Sequence, residues 1–234
     1  MPSEPKYGKT ILCLANSRRP GGTCVAGKEF VNGKFGSWIR PVNPQNADAI
    51  SGSDRQYQDG THCDVLDMVT VYMVEAKPHG HQTENHAIDP KYYWAKQSRA
   101  TWDQIISATD KVNGPLWHDG DRSFHGLNDK VPEAVASNLK GSLLLIEPEK
   151  LDLVVALESR FDGGEDRRVR ANFRLNGVHY SFVVTDPWIE AKYFAGKDGV
   201  YPIEGSRLCI SLAEVAHGIA TKLAAAVITK DRLD

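Results

Sequence analysis

Short apolar runs alternate with turn residues along most of the chain, and this pattern is typical of a β-rich protein. Residues 10–15 form a compact apolar run, and residues 65–74 alternate and are rich in β-branched side chains. Two Asn-Gly pairs, Asn32-Gly33 and Asn176-Gly177, each separate two apolar segments. Because this dipeptide favours the tight turn of a β-hairpin, both pairs predict antiparallel strand pairs.

The remaining elements are predicted from the same kind of signal. Apolar residues at helical spacing behind a threonine predict a short helix at residues 101–112, and the alanine-rich residues 212–228 predict a second one. Polar composition predicts surface loops at residues 43–64, 77–90 and 114–131. The other predicted strands are residues 36–42, 142–146, 151–158, 168–175, 178–186 and 208–212.

These elements form two groups of similar content. Each half of the chain holds several short strands and one helix, and a small closed barrel buries such strands without leaving long exposed edges. We therefore predict a mainly β fold of two small barrels with one or two short helices, the first at residues 1–136 and the second at 137–234. No internal repeat is evident on inspection, so the sequence does not demonstrate a duplication.

Composition and charge are those of an ordinary globular protein. Hydrophobic residues make up 41% of the chain, charged residues 25%, and the formal net charge is −2. This balance argues against a basic protein that coats nucleic acid, so a contact with a polyanion must come from a local patch. The chain has no apolar run of membrane-spanning length and no paired cysteine motif. We expect a cytoplasmic protein with reduced thiols and no membrane partner.

The strongest candidate for binding follows the first predicted strand. Arg18 and Arg19 stand just before Gly21 and Gly22. Two guanidinium groups can hold phosphate oxygens bidentately, and glycines let backbone N–H groups approach an anion closely. The segment lacks the Gly-Lys-Ser/Thr end and the following helix of a Walker loop. It predicts a phosphate-binding loop, and the alternative is a basic turn that only connects two strands.

The next strand adds an aromatic and a basic side chain on one face. Trp38 and Arg40 are two residues apart, so they share a strand face, and Lys28 supplies a further cation. An aromatic ring beside a guanidinium suits base stacking with phosphate contact. The alternative is a tryptophan of the core with an arginine at the rim.

A second basic stripe is predicted on the clearer of the two hairpins. Arg168, Arg170 and Arg174 fall on one face of a strand. Neighbouring acidic residues partly cancel their charge, and charge runs are usually solvated faces. The stripe is therefore a secondary candidate for contact with nucleic acid.

Metal binding and catalysis find less support. The cysteines match no common zinc spacing, and the histidine-rich segment is polar, where solvated histidines are expected. The aspartates of residues 119–129 are typical of turns. We therefore assign no metal ligand, no catalytic residue and no cofactor. The side chains considered are Cys13, Cys24, Cys63 and His62; His79, His81 and His86; and Asp119, Asp121 and Asp129.

Residues 13–29 and 38–42 together resemble the dual OB domain proteins of bacteria, and residues 128–131 and 185–187 add to the likeness. The resemblance extends over nearly the whole chain. It implies that both predicted barrels are OB-like and that the protein binds nucleic acid, within bacterial defence or stress gene neighbourhoods. That role rests on the fold. The family's loop often has a second basic residue where this chain has Thr23, which implies weaker anion binding here.

The expected function is therefore binding of single-stranded nucleic acid or a nucleotide, with Arg18, Arg19, Lys28 and Arg40 holding phosphates and Trp38 stacking on a base. Two alternatives remain open. One is an enzyme that acts on nucleic acid or nucleotides through Cys24, His62 or the loop at residues 119–129. The other is a protein-interaction adaptor without a ligand.

Overall fold

The computed structural model describes residues 6–19, 21–160 and 162–233. Contacts between Cα atoms divide the chain into two compact units, one ending at Ala108 and the other spanning Thr109–Arg232. Each unit contains one β-sheet. None of the described helices has the length and the apolar character that crossing a bilayer requires.

The first unit is a closed barrel. Antiparallel pairing joins the first strand to the second, the second to the third and the fourth to the fifth, and the third and fifth strands pair in parallel. The fourth strand also pairs with the first, which closes the sheet. The elements are β1 (Tyr7–Arg19), β2 (Gly22–Val31), β3 (Lys34–Val42), a 3-10 helix (Ser53–Arg55), β4 (Asp67–Ala76), β5 (Asn85–Ile88), β6 (Ala95–Arg99) and α1 (Trp102–Ala108).

The second unit is built on the same plan. Its elements are β7 (Lys130–Pro132), α2 (Glu133–Ala136), β8 (Leu143–Ile146), β9 (Lys150–Ser159), β10 (Glu165–Leu175), β11 (Val178–Val184), α3 (Pro187–Phe194), β12 (Gly199–Ile203), β13 (Arg207–Leu212), β14 (Ile219–Ile228) and a 3-10 helix (Lys230–Arg232). The successive strands β8 and β9 form one bent first strand, and β12 and β13 form one bent fourth strand. The pairs β9–β12 and β8–β13 close this barrel, and β11 and β14 pair in parallel.

Both barrels therefore have the strand order first, second, third, fifth, fourth and back to the first. This order, with a parallel pair between the third and fifth strands, is that of a five-stranded Greek-key barrel of the OB type. The prediction of a mainly β fold with two OB-like barrels is confirmed.

Alignment of the barrels by strand order reveals a repeat that inspection of the sequence missed. In the sequence, SRRPGG (residues 17–22) stands where β1 ends and β2 begins, and SRFDGG (residues 159–164) stands where β9 ends and β10 begins. The two Asn-Gly pairs join the second and third strands of their barrels. The asparagine φ is 51° and the glycine φ is 77° in both turns, as a type I′ hairpin requires. The barrels thus share turn sequences as well as strand order.

Several local predictions are corrected by the structure. The helix predicted at residues 212–228 is wrong, because residues 219–228 form β14, where Ala224, Ala225 and Ala226 are buried. Burial inside a small barrel, where small side chains fit, overrides the helix propensity of alanine. The loop predicted at residues 77–90 contains β5. The described residues contain three short α-helices, one more than the upper number predicted, and α1 occupies only the first part of residues 101–112.

The two units divide after Ala108, whereas the sequence predicts a boundary after residue 136. Residues 109–136 belong to the second unit because β7 pairs with β14 and because Leu116, Val131 and Ala136 are buried in its cores. This segment is mostly polar and has little regular structure, so its sequence gives no signal of which barrel it covers.

Two aspartates from the segments that resemble the family stabilise the second barrel. Asp186 is fully buried, caps α3 by accepting a hydrogen bond from the Trp188 amide at 3.1 Å, and forms an ion pair with the buried Arg232. Asp129 accepts a hydrogen bond from the Ser123 amide at 2.7 Å. These carboxylates therefore hold elements of the fold together.

The close approach of β1 and β2 predicts a strict need for glycine at residue 27. A Cβ there would lie 2.1 Å from the Leu12 carbonyl oxygen, whereas a Cβ at Gly36 would meet nothing nearer than 3.8 Å. We expect Gly27→Ala to lower the free energy of unfolding by about 1–3 kcal/mol, because backbone atoms of the ladder must move. Gly36→Ala is the matched control. Equal urea midpoints for the two variants would contradict the expectation.

Candidate functional site

The predicted phosphate loop is the end of a tight hairpin. Arg18 and Arg19 are the last residues of β1, and Gly22 begins β2. Gly21 has a φ of +84°, which favours glycine, and a Cβ at Gly22 would lie 2.4 Å from the Ile50 carbonyl oxygen. The two glycines are therefore required by the backbone geometry of the hairpin and its contact with residue 50.

The two arginines of this hairpin lie in different environments. Arg18 is exposed at the end of β1. Arg19 is half-buried, and its guanidinium lies 2.9 Å from the Asp48 carboxylate. The positive charge of Arg19 is therefore offset by a neighbouring carboxylate, and Arg18 is the more accessible of the two.

The side chains of Lys28, Trp38 and Arg40 point away from the core of the first barrel, and Lys28 is only 7% exposed. Lys28 and Trp38 are directly paired across β2 and β3, and the Lys28 ammonium lies 5.5 Å from the centre of the indole ring. Ile39, between Trp38 and Arg40, points into the core. Arg40 is only 5% exposed, and its guanidinium lies 3.3 Å from the buried Glu84 carboxylate.

Two phenylalanines that the sequence analysis missed extend this face. Phe30 and Phe35 are paired across β2 and β3, with ring centres 4.9 Å apart, and both rings are half-buried. Phe30 is two residues from Lys28 on β2, so these two side chains share the outer face. We call Phe30, Phe35 and Trp38 the aromatic face.

A register shift explains why Phe35 was missed. Between the pairs Lys28–Trp38 and Phe30–Phe35, β3 has one residue more than β2. Simple alternation from Trp38 places Phe35 on the inner side, and the extra residue at the Gly36-Ser37 bulge returns it to the outer face. In the sequence, only the small residues Gly36 and Ser37 beside the hairpin indicate this bulge.

The second predicted stripe is on the outer face of the second barrel, but its charges are paired. Arg168 lies 2.7 Å from Asp166, Arg174 lies 2.6 Å from Glu149, and Arg170 makes a bidentate contact with Glu158. Glu158 lies on the preceding strand, β9, and Glu149 lies in the turn before β9. Their proximity follows from strand register, which the sequence pattern does not fix.

The acidic loop considered for catalysis surrounds a buried lysine. Lys222 has no exposed surface, its ammonium lies 3.6 Å from Asp119, and it donates a hydrogen bond to the His118 carbonyl oxygen. The Tyr180 hydroxyl donates to Asp119 at 3.1 Å, and burial raises the pKa of Tyr180 to about 12. Lys222 and Tyr180 are at most 2% exposed. The buried Lys222 and Tyr180 therefore fasten residues 116–119 to the barrel.

The cysteines and histidines do not form a metal site within the described part of the chain. No group of three or more His, Cys, Asp and Glu side chains there is placed to hold an ion. Cys13 and Cys63 are both fully buried, and a hydrogen bond between them, with burial, raises the pKa of the Cys13 thiol. His86 is hydrogen-bonded to the Tyr7 hydroxyl at 2.8 Å.

The buried lysine predicts an unusual pH dependence of stability. Burial lowers the pKa of Lys222 to about 8, whereas the pKa of a lysine in an unfolded chain is about 10.4. At pH values between these two pKa values, the unfolded chain binds more protons than the folded chain. The contribution of Lys222 to stability therefore rises with pH in this range. The free energy of unfolding of Lys222→Met minus that of the wild type should therefore be greater at pH 7 than at pH 10. We expect this change to be up to about 3 kcal/mol. Urea midpoints measure the difference, and a difference that does not change with pH contradicts the expectation.

Comparison with known proteins agrees with the strand order. The family described as the dual OB-containing domain matches residues 9–227 of the 234-residue chain. No curated protein and no solved structure matches the chain. The matched residues run from β1 into the end of β14, so they include the strands of both barrels. The chain belongs to the family of dual OB-containing domain proteins.

Proposed function

We propose that this protein binds single-stranded nucleic acid through the outer face of its first barrel. The aromatic face is the observation that carries the proposal, because it places three half-buried rings on the second and third strands of an OB barrel. That surface, with the loop between the first two strands, is where OB barrels bind oligonucleotides.

Stacking supplies most of the affinity in this proposal. Each base stacked on an aromatic side chain contributes about 1–3 kcal/mol. The Lys28 ammonium over the indole holds Trp38 in place by a cation–π contact and keeps a positive charge beside the ring. A base can reach these rings only when it is free of a duplex, so the proposal favours single strands over double strands.

The basic residues have unequal roles. Arg18 contacts phosphate because it is exposed at the end of the hairpin beside β2. Arg19 contributes less because Asp48 already offsets its charge. Arg40 supports the fold, because its amide donates to the Glu84 carbonyl oxygen at 2.8 Å and its guanidinium is buried against the same residue. Gly21 and Gly22 shape the hairpin that presents Arg18.

Removal of the aromatic rings should weaken strand binding. We expect Trp38→Ala, and separately Phe35→Ala, to raise the Kd for a fluorescent single-stranded oligonucleotide about 10-fold, since each change removes one stacking platform. Fluorescence polarisation at fixed salt gives the Kd. Phe124→Ala is the control, because Phe124 is 86% exposed and belongs to the second unit. Unchanged binding by both folded variants would exclude the aromatic face.

The two arginines should differ in their effect on salt dependence. For single strands, each phosphate contact contributes about 0.7 to the slope of log K against log salt. We expect Arg18→Ala to reduce the magnitude of this slope by about 0.7, and Arg19→Ala to leave it nearly unchanged because Asp48 offsets its charge. Identical slopes for the wild type and Arg18→Ala would remove Arg18 from the site.

A further inference from the structure

A cavity of about 270 Å³ lies on the outer face of the second barrel, over β9, β10 and β11. Two rows of directly paired polar side chains cross it. Directly paired residues have Cβ atoms about 5 Å apart and point to the same face of a sheet. We call the first row the floor (Asp152, Asn172 and Ser181) and the second the rim (Lys150, Arg174 and His179).

The floor is recessed and the rim is exposed. The Asp152 side chain is 17% exposed, whereas the Lys150 and Arg174 side chains are 70% and 50% exposed. Leu127 borders Ser181, to which it is joined by two backbone hydrogen bonds of 3.3 and 3.0 Å, and provides an apolar wall. The cavity therefore combines a polar floor, an apolar wall and a cationic rim.

The hydrogen bonds within the floor define what it offers to a ligand. Ser181 Oγ donates to Asn172 Oδ1 at 2.7 Å, so the Asn172 amide nitrogen is the group that can donate to a ligand. Asp152 is an acceptor, and one of its oxygens lies 2.9 Å from the Lys150 ammonium. An ion pair with so exposed a lysine is weak and exchanges readily. The floor thus presents a carboxylate acceptor beside an amide donor.

We propose that this cavity binds one guanine nucleotide. Guanine has two adjacent donors, N1–H and the 2-amino group, next to the O6 acceptor along its pairing edge. The Asp152 carboxylate can accept from both donors while the Asn172 amide donates to O6. The pairing edge of adenine, cytosine or uracil places an acceptor where guanine has one of these two donors, and that acceptor would face the carboxylate.

The rim suits the phosphate of the same nucleotide. Arg174 is held 2.6 Å from Glu149, and both side chains are exposed, so a phosphate can replace this carboxylate at small cost. Lys150, once displaced from Asp152 by the base, can turn to the phosphate as well. The nucleotide is either free or part of a strand, and in the second case the inference rests on the proposed function.

Mononucleotide titration tests the cavity independently of strand binding. Calorimetric titration of the full chain with GMP, AMP, CMP and UMP should give a Kd for GMP at least about 10-fold lower than for the others. Asp152→Asn should remove this preference, and Asn172→Ala should weaken GMP binding as a second variant. Asp231→Asn is the control, because Asp231 forms a similar pair with Lys192 at 2.6 Å and does not line the cavity. Equal affinity for all four nucleotides, absence of GMP binding, or wild-type GMP binding by folded Asp152→Asn overturns the inference.

An oligonucleotide pair separates the two sources of the guanine. A thymine oligonucleotide with one central guanine should bind more tightly than the all-thymine oligonucleotide if the base belongs to a strand, and Asp152→Asn should abolish the difference. GMP preference without this difference assigns the cavity to the free nucleotide. If GMP binds and no oligonucleotide does, the proposed function fails and the cavity assignment stands. If oligonucleotides bind equally and GMP does not bind, only the cavity assignment fails.

Discussion

The hydrogen bonds that join the first strand of each barrel to the fourth are the constraint on which the rest of the structure depends. In the first barrel they run between β1 and β4, and in the second they are shared by the pairs β9–β12 and β8–β13. Closure removes the exposed edges of the sheet and assigns alternate residues of each strand to the interior. A barrel of this size has an interior filled by side chains, so a ligand of either barrel must bind on the outside.

The two barrels share one strand order but have different side chains at corresponding positions of their outer faces. Counted from the Asn-Gly turns, the Phe30–Phe35 pair of the first barrel corresponds to the Arg174–His179 pair of the second. Trp38 corresponds to Phe182, yet the indole is on the outer face and Phe182 is fully buried in the core. The bulge in β3 is the cause, since a shift of one residue exchanges the two faces of a strand. The inserted residue thus turns Trp38 to the outer face, whereas Phe30 and Phe35 differ from Arg174 and His179 in residue identity alone.

Carboxylates limit the contribution of the arginines to binding. Arg19, Arg40 and Arg170 each have an acidic partner, and the latter two pairs are almost entirely buried. A buried pair destabilises the fold strongly when one partner is removed, so these arginines are better suited to holding strands together than to exchanging phosphates. In the binding proposed for the two outer faces, stacking and directional hydrogen bonds therefore contribute more than a positive field, in agreement with the net charge of −2.

The sequence by itself determined the local features: the β-rich class, most of the strands, both Asn-Gly hairpins and the similarity to a dual OB family. These follow from alternation and turn chemistry, which act over a few neighbouring residues. Only the tertiary structure decided that residues 219–228 form a strand, that Phe35 faces outward, and that Lys222 is buried against Asp119. It alone aligned Asp152, Asn172 and Ser181 from three strands into one row. The physical reason is that barrel closure fixes strand register, and register brings together residues whose separation along the chain carries no local signal.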